Sequence, residues 1–151
     1  MTMPRFVGII KVSPTGTIDK ATASDPGIER IGMEISMEYE IKNGRRPEDV
    51  SAENLGFDIR SKDKKSGGAR YIEVKARAQE GAVALTQNEW FKAQRFRDDY
   101  YLYAVMNASS NPQLYIVQNP AQNLVPDKKV EVVRYIVSLE NVVASSHVAK
   151  L

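Results

Sequence analysis

Three side chains in two neighbouring apolar segments have the types that phosphodiester chemistry needs: Asp58 in "GFDI", and Glu73 with Lys75 in "RYIEVKAR". Mg²⁺ is a hard cation that takes oxygen ligands octahedrally and keeps several waters. One or two carboxylates on adjacent strands therefore suffice to hold it, or Mn²⁺, against a phosphate. Asp58 and Glu73 are the candidate metal ligands. The ion would polarise the phosphate and lower the pKa of a bound water. Lys75, its own pKa reduced by burial or by the metal, would orient or deprotonate that water. Glu34 or Glu38, on a preceding helix, is a candidate accessory acid for a metal-bound water or a second ion.

An acid-x-lysine triplet alone carries little weight. This chain holds four of them, at Glu40, Asp63, Glu73 and Asp127. On a sheet face open to water such a pair is ordinary, each cross-strand contact contributing roughly 0.2–1 kcal/mol. Glu73 differs because it sits mid-strand and follows a strand carrying Asp58.

The elements that must position these residues can be read from periodicity. "DPGIERIGMEISMEYEIKNG" has Asp25 as N-cap, Pro26 at the first helical position and Asn43-Gly44 as a stop. At 100° per residue Ile28, Ile31, Ile35 and Tyr39 form its apolar stripe; Glu29 and Glu40 point away, and Glu34 and Glu38 flank the edge. "LGFDIRS" and "ARYIEVKAR" read as strands joined by the glycine-bearing loop "KDKKSGG". In the first, Leu55, Phe57 and Ile59 share a face; in the second, Glu73 and Lys75 oppose Ile72 and Val74. "GAVAL" suggests a third short strand, and Thr86 with Glu89 has capping-box spacing at the head of "TQNEWFKAQRF". The apolar runs "YYLYAVMN" and "LYIVQN" read as central strands covered on both faces. "KVEVVRYIV" suggests a final edge strand, and residues 139–151 a helical or frayed tail. The order predicts an α/β fold with a mixed β-sheet flanked by helices, comprising an N-terminal strand and linker segment over 1–25 and one compact domain over 26–151.

Composition narrows the chemistry. The chain has 151 residues, 42% hydrophobic and 26% charged, which suits a single core-forming domain. It has no cysteine and one histidine, His147. Thiolate chemistry, disulfides and any site needing two imidazoles are excluded, and an intracellular, cytoplasmic setting is expected. No apolar run has the length of a membrane span. The net charge of +2 is mild, but Arg60, Lys62, Lys64, Lys65, Arg70, Lys75 and Arg77 crowd around the Glu73 strand.

"IERIGMEISMEYEIKNGRRPEDVS", "GFDI", "RYIEVKAR", "ALTQNEWFKA", "DDYYLYAVMN" and "PQLYIVQNPAQNL" resemble, in order and spacing over residues 27–125, the protein NO VEIN carboxy-terminal domain family. That family is similar to the PD-(D/E)XK nuclease superfamily and is found beside helicase domains and in bacterial defence and restriction systems. The resemblance implies a restriction-endonuclease-like α-β-β-β-α-β core. It implies Asp58 as the first acid, Glu73 and Lys75 as the (D/E)XK pair, Glu34 as the helix acid and Gln87 as a polar residue near substrate. Family members generally have glycine where this chain has Ala76.

The leading expectation is a Mg²⁺- or Mn²⁺-dependent endonuclease domain acting on DNA. Arg60, Lys62, Lys64, Lys65, Arg77 and Gln87 would be its nucleic-acid contacts, with a helicase domain or subunit as partner. The alternatives are a non-catalytic nucleic-acid-binding or protein-docking module on the same fold, and an accessory subunit with no nucleic-acid role. Neither monomer nor dimer follows from the sequence.

Overall fold

The structure is a computed structural model and describes residues 25–129 and 134–151. The expected strand in "FVGIIKV" and the linker after it lie outside the described residues. The described residues fold as α/β around a six-stranded mixed sheet, an architecture compatible with a restriction-endonuclease-like core.

Helix α1 (Pro26–Lys42) is followed by β1 (Arg45–Asp49), β2 (Ile59–Asp63), β3 (Ala69–Ala76), β4 (Val83–Thr86) and α2 (Gln87–Phe96). Then come β5 (Tyr100–Met106), β6 (Gln113–Gln118), the one-turn α3 (Pro120–Asn123), β7 (Asp127–Lys129), β8 (Arg134–Val137), α4 (Leu139–Ala144) and β9 (His147–Val148). The main sheet has the order β1-β2-β3-β5-β6-β9, antiparallel except for the parallel β3–β5 pair. Parallel neighbours need a long crossover, and here β4 and α2 provide it.

The helix signals act as expected. Asp25 Oδ1 accepts the Gly27 and Ile28 amides, and Gly44 ends α1 at φ 75°. Thr86 and Glu89 form a complete capping box on α2. β5 is buried along nearly its whole length. On one face Tyr103 and Val105 meet α1; on the other Leu102, Ala104 and Met106 meet a second, three-stranded sheet ordered β4-β8-β7.

Two readings are corrected, and one strand is added. The segment Arg45–Asp49, to which the sequence assigned no element, is the edge strand β1. Within the described residues "KVEVVRYIV" supplies Lys129 to β7 and Arg134–Val137 to β8, and β8 is the middle of the small sheet rather than an edge of the main one. In α1 the buried positions are Gly32, Ser36 and Glu40, so Glu40 faces inward. It is fully buried, held by Arg45 Nε at 2.9 Å, Arg70 Nη1 at 3.2 Å, the Ser61 hydroxyl at 2.6 Å and the Tyr103 hydroxyl. A buried carboxylate is retained only where partners replace its water.

Candidate active site

Asp58 owes its place to an irregular entry into β2. Gly56 has φ 83°, a region closed to most side chains, and an added β carbon there would lie 2.6 Å from Lys92 Cγ. Its carbonyl accepts the buried Tyr100 hydroxyl at 2.8 Å. The kink breaks the expected alternation: Phe57 packs with Val50, Ala93 and Tyr100, whereas Ile59 packs on the α1 face. Asp58 between them accepts the Val74 amide through Oδ2 at 2.9 Å. A carboxylate thus takes a ladder position of β3.

Glu73 and Lys75 alternate with Ile72 and Val74, and the inward packing of that second pair sends the first toward α2. Glu73 is 3% exposed. Lys75 Nζ lies 2.8 Å from Glu73 Oε1 and 3.0 Å from Glu89 Oε2. Asp58, Glu73, Lys75 and Glu89 all line one cleft of about 800 Å³, walled by the start of α1, the end of β3 and the β4–α2 junction.

The electrostatics follow from burial. Glu73 is held well above the ordinary carboxylate value, chiefly by desolvation, with the Asp58 and Glu89 charges adding and Lys75 opposing. Asp58 is raised by burial despite the Val74 amide and Lys75. Burial pulls the Lys75 ammonium down, but Glu73 and Glu89 outweigh it and hold it above the ordinary lysine value. The expected lowering of Lys75 is therefore reversed in this arrangement, and the side chain is a firm cation.

Other expected residues fall elsewhere. Glu34 is exposed, pairs with Arg30 at 3.8 Å and does not line the cleft; nor does Glu38. The acids that reach it are the α1 N-cap Asp25 and Glu29 of the first turn, which the apolar stripe did not single out. Gln87 is exposed outside the cleft; two residues on, Glu89 enters it. The capping-box spacing was the available signal: Glu89 Oε2 accepts the Thr86 amide at 2.8 Å and meets Lys75 with the same oxygen. Arg77 lines the cleft and donates to the Ala82 carbonyl at 3.0 Å.

Lys64 and Lys65 sit in the β2–β3 turn at the far end of the hairpin. Lys62 pairs with Ala69, four residues from Glu73, or about 13 Å along the strand. Arg60 lies nearer, opposite Tyr71, with Glu48 3.5 Å away.

Among the described residues, Asp25, Glu29, Asp58, Glu73 and Glu89 share the cleft with two cationic side chains, Lys75 and Arg77. Glu73 spends Oε1 on Lys75 and Asp58 spends Oδ2 on Val74. Their other oxygens have no protein donor among the described residues. No group of three or more Asp, Glu or His side chains there gathers closely enough to hold a metal unaided. Two hard carboxylate oxygens with room for water are nonetheless what Mg²⁺ accepts, so the donor set fits. No helix among the described residues is long and apolar enough to cross a membrane.

Residues 28–117 match the family described as Protein NO VEIN, C-terminal, and the chain belongs to that family. No curated protein and no solved structure matches the chain.

Proposed function

We propose, taking family membership as the premise, that this domain hydrolyses phosphodiester bonds of DNA with a divalent cation, Mg²⁺ or Mn²⁺, held by Asp58 and Glu73. The observation that carries the reading is an acid-rich cleft whose buried Glu73 and part-buried Asp58 each keep one oxygen without a donor among the described residues, beside a charged lysine. A polyanion gains nothing from such a cleft unless a cation screens it. The bound ion supplies charge neutralisation and an acidified water. Asp58 is fixed by the Val74 amide, and Glu73 by burial. Lys75, an ammonium here, orients the attacking water and offsets charge on the phosphate rather than serving as the base. Glu89 holds Lys75 in place from the helix side.

Phosphate contacts are assigned to the sheet face that carries Glu73. The β1–β2 and β2–β3 registers put Arg46, Arg60 and Lys62 on that face, and Lys92 and Arg95 of α2 flank Phe96, which stacks on Tyr71 at 4.2 Å. A non-catalytic DNA-docking module is the competing reading, and the closed Lys75 ion pairs are the observation that favours it.

Calorimetric titration of Mg²⁺ or Mn²⁺ into wild type and Asp58→Ala, with plasmid and single-strand cleavage followed on the same samples, separates the two. Metal binding and cleavage that both vanish with Asp58 support the nuclease. A folded wild type that binds DNA but neither metal nor cuts supports the docking module.

A further inference from the structure

On the opposite face of β3 lies a second pocket, of about 420 Å³, with a contrasting lining. No carboxylate among the described residues lines it. Its floor is Arg70, three residues before Glu73 and therefore turned to the other side of the sheet. One guanidinium nitrogen, Nη1, is spent on Glu40 Oε1 and the Tyr103 hydroxyl, at 3.2 and 3.3 Å, and the group lies 4.6 Å over the Tyr101 ring. Nε and Nη2 have no protein partner among the described residues. Arg70 is held rigidly on one edge and offers a two-donor fork on the other, the geometry that matches phosphate or carboxylate oxygens.

The remaining lining extends the pattern. The Tyr39 and Tyr101 hydroxyls and the His147 imidazole line the pocket without protein hydrogen bonds among the described residues. Gln118 and Asn123 use their NH₂ groups on the carbonyls of Asp98 and Gln118, leaving their amide oxygens as acceptors. Unspent cationic and hydroxyl donors suit an oxyanion, aromatic rings suit a planar ring, and side-chain amide oxygens suit the amino edge of a base. The volume lies within the usual range for small-ligand sites.

We infer that this pocket binds a nucleoside phosphate, its phosphate on Arg70 and its base between Tyr39, Tyr101 and the Gln118 and Asn123 amides. The ligand is either a free mononucleotide or the phosphorylated end of a strand. The site stands apart from the Asp58–Glu73 cleft and does not depend on the hydrolytic reading.

The test is calorimetry in EDTA with five probes: adenosine and cytidine 5′-monophosphates, inorganic phosphate, and single-stranded oligonucleotides with and without a 5′-phosphate. A mononucleotide should bind one-to-one. Arg70→Lys, which keeps the charge beside Glu40 but loses the fork, should weaken binding by about tenfold or more. His147→Ala, at an exposed position, should weaken it without altering thermal unfolding, and Asp58→Asn should bind as wild type. Preference for the 5′-phosphorylated oligonucleotide over mononucleotides identifies a strand end; the reverse identifies a free nucleotide. The inference is overturned if no nucleotide binds folded wild type at millimolar concentration or if inorganic phosphate alone binds. Binding that is lost in Asp58→Asn but kept in Arg70→Lys and His147→Ala overturns it equally.

Discussion

Gly32 of α1 faces Ala76 of β3 so closely that a β carbon on Gly32 would lie 2.6 Å from the Ala76 β carbon. The helix rests almost directly on the strand that bears Glu73 and Lys75. Gly32→Ala should be destabilising by about 1–3 kcal/mol through overpacking, although alanine is favoured over glycine inside a helix by up to about 1 kcal/mol. Ala76→Gly should rescue it, so a double-mutant cycle in urea should give a favourable coupling. An additive cycle would refute the close contact.

Glu89 serves two masters with one oxygen, and they can be separated. Glutamine completes a capping box as glutamate does, so Glu89→Gln should leave the melting temperature nearly unchanged. It removes a negative partner of Lys75, and metal-dependent cleavage should fall by roughly 10- to 100-fold, as for other residues that orient a catalytic group. Thr86→Val should do the opposite, costing about 1 kcal/mol of stability and little activity. Parallel melting and cleavage curves on both variants decide it.

The raised Asp58 value has a definite consequence for stability. A carboxyl held above its ordinary value of 3.8 binds its proton more tightly when folded. The stability it contributes is present in acid and is lost as pH rises through the folded value. Asp58→Asn keeps an acceptor for the Val74 amide and has no charge to bury. Its melting temperature should therefore gain on that of wild type as pH climbs from about 4 to neutrality. Mg²⁺ should raise the wild-type value and leave the variant unmoved.

Removal of the Glu40 carboxylate should be severe. Glu40→Ala takes from half-buried Arg70 its carboxylate partner and leaves buried Arg45 only the longer 3.6 Å contact with Asp63, at a cost of about 3–5 kcal/mol. Denaturant midpoints compared with Glu40→Gln, which keeps acceptors for Ser61 and Arg45, should show the glutamine variant clearly more stable.

The residues that carry local rules were legible in the sequence. Asp25-Pro26, Asn43-Gly44, Thr86 with Glu89 and the glycines before Arg70 each act within a few positions, so caps and hairpin could be read directly. Glu73 and Lys75 were legible because alternation sets the face of a strand. Glu40 was not: a buried acid on a helix depends on Arg45, Ser61, Arg70 and Tyr103, which only the fold assembles. Leu55, Phe57 and Ile59 misled because Gly56 breaks the strand. Pro47 and four charged neighbours hid β1, whose exposed edge tolerates both.

The parallel β3–β5 pair also bears on how the site comes into being. β2 and β3 meet through a short turn, so Asp58, Glu73 and Lys75 can be brought together by local contacts. The second neighbour of β3 arrives only after residues 77–99 have closed into a crossover, a non-local step that is entropically costly and slow. Until then that side of β3 is uncovered, and the burial that raises Asp58 and Glu73 is incomplete. Their altered titration is thus a property of the enclosed β3 and not of the hairpin alone.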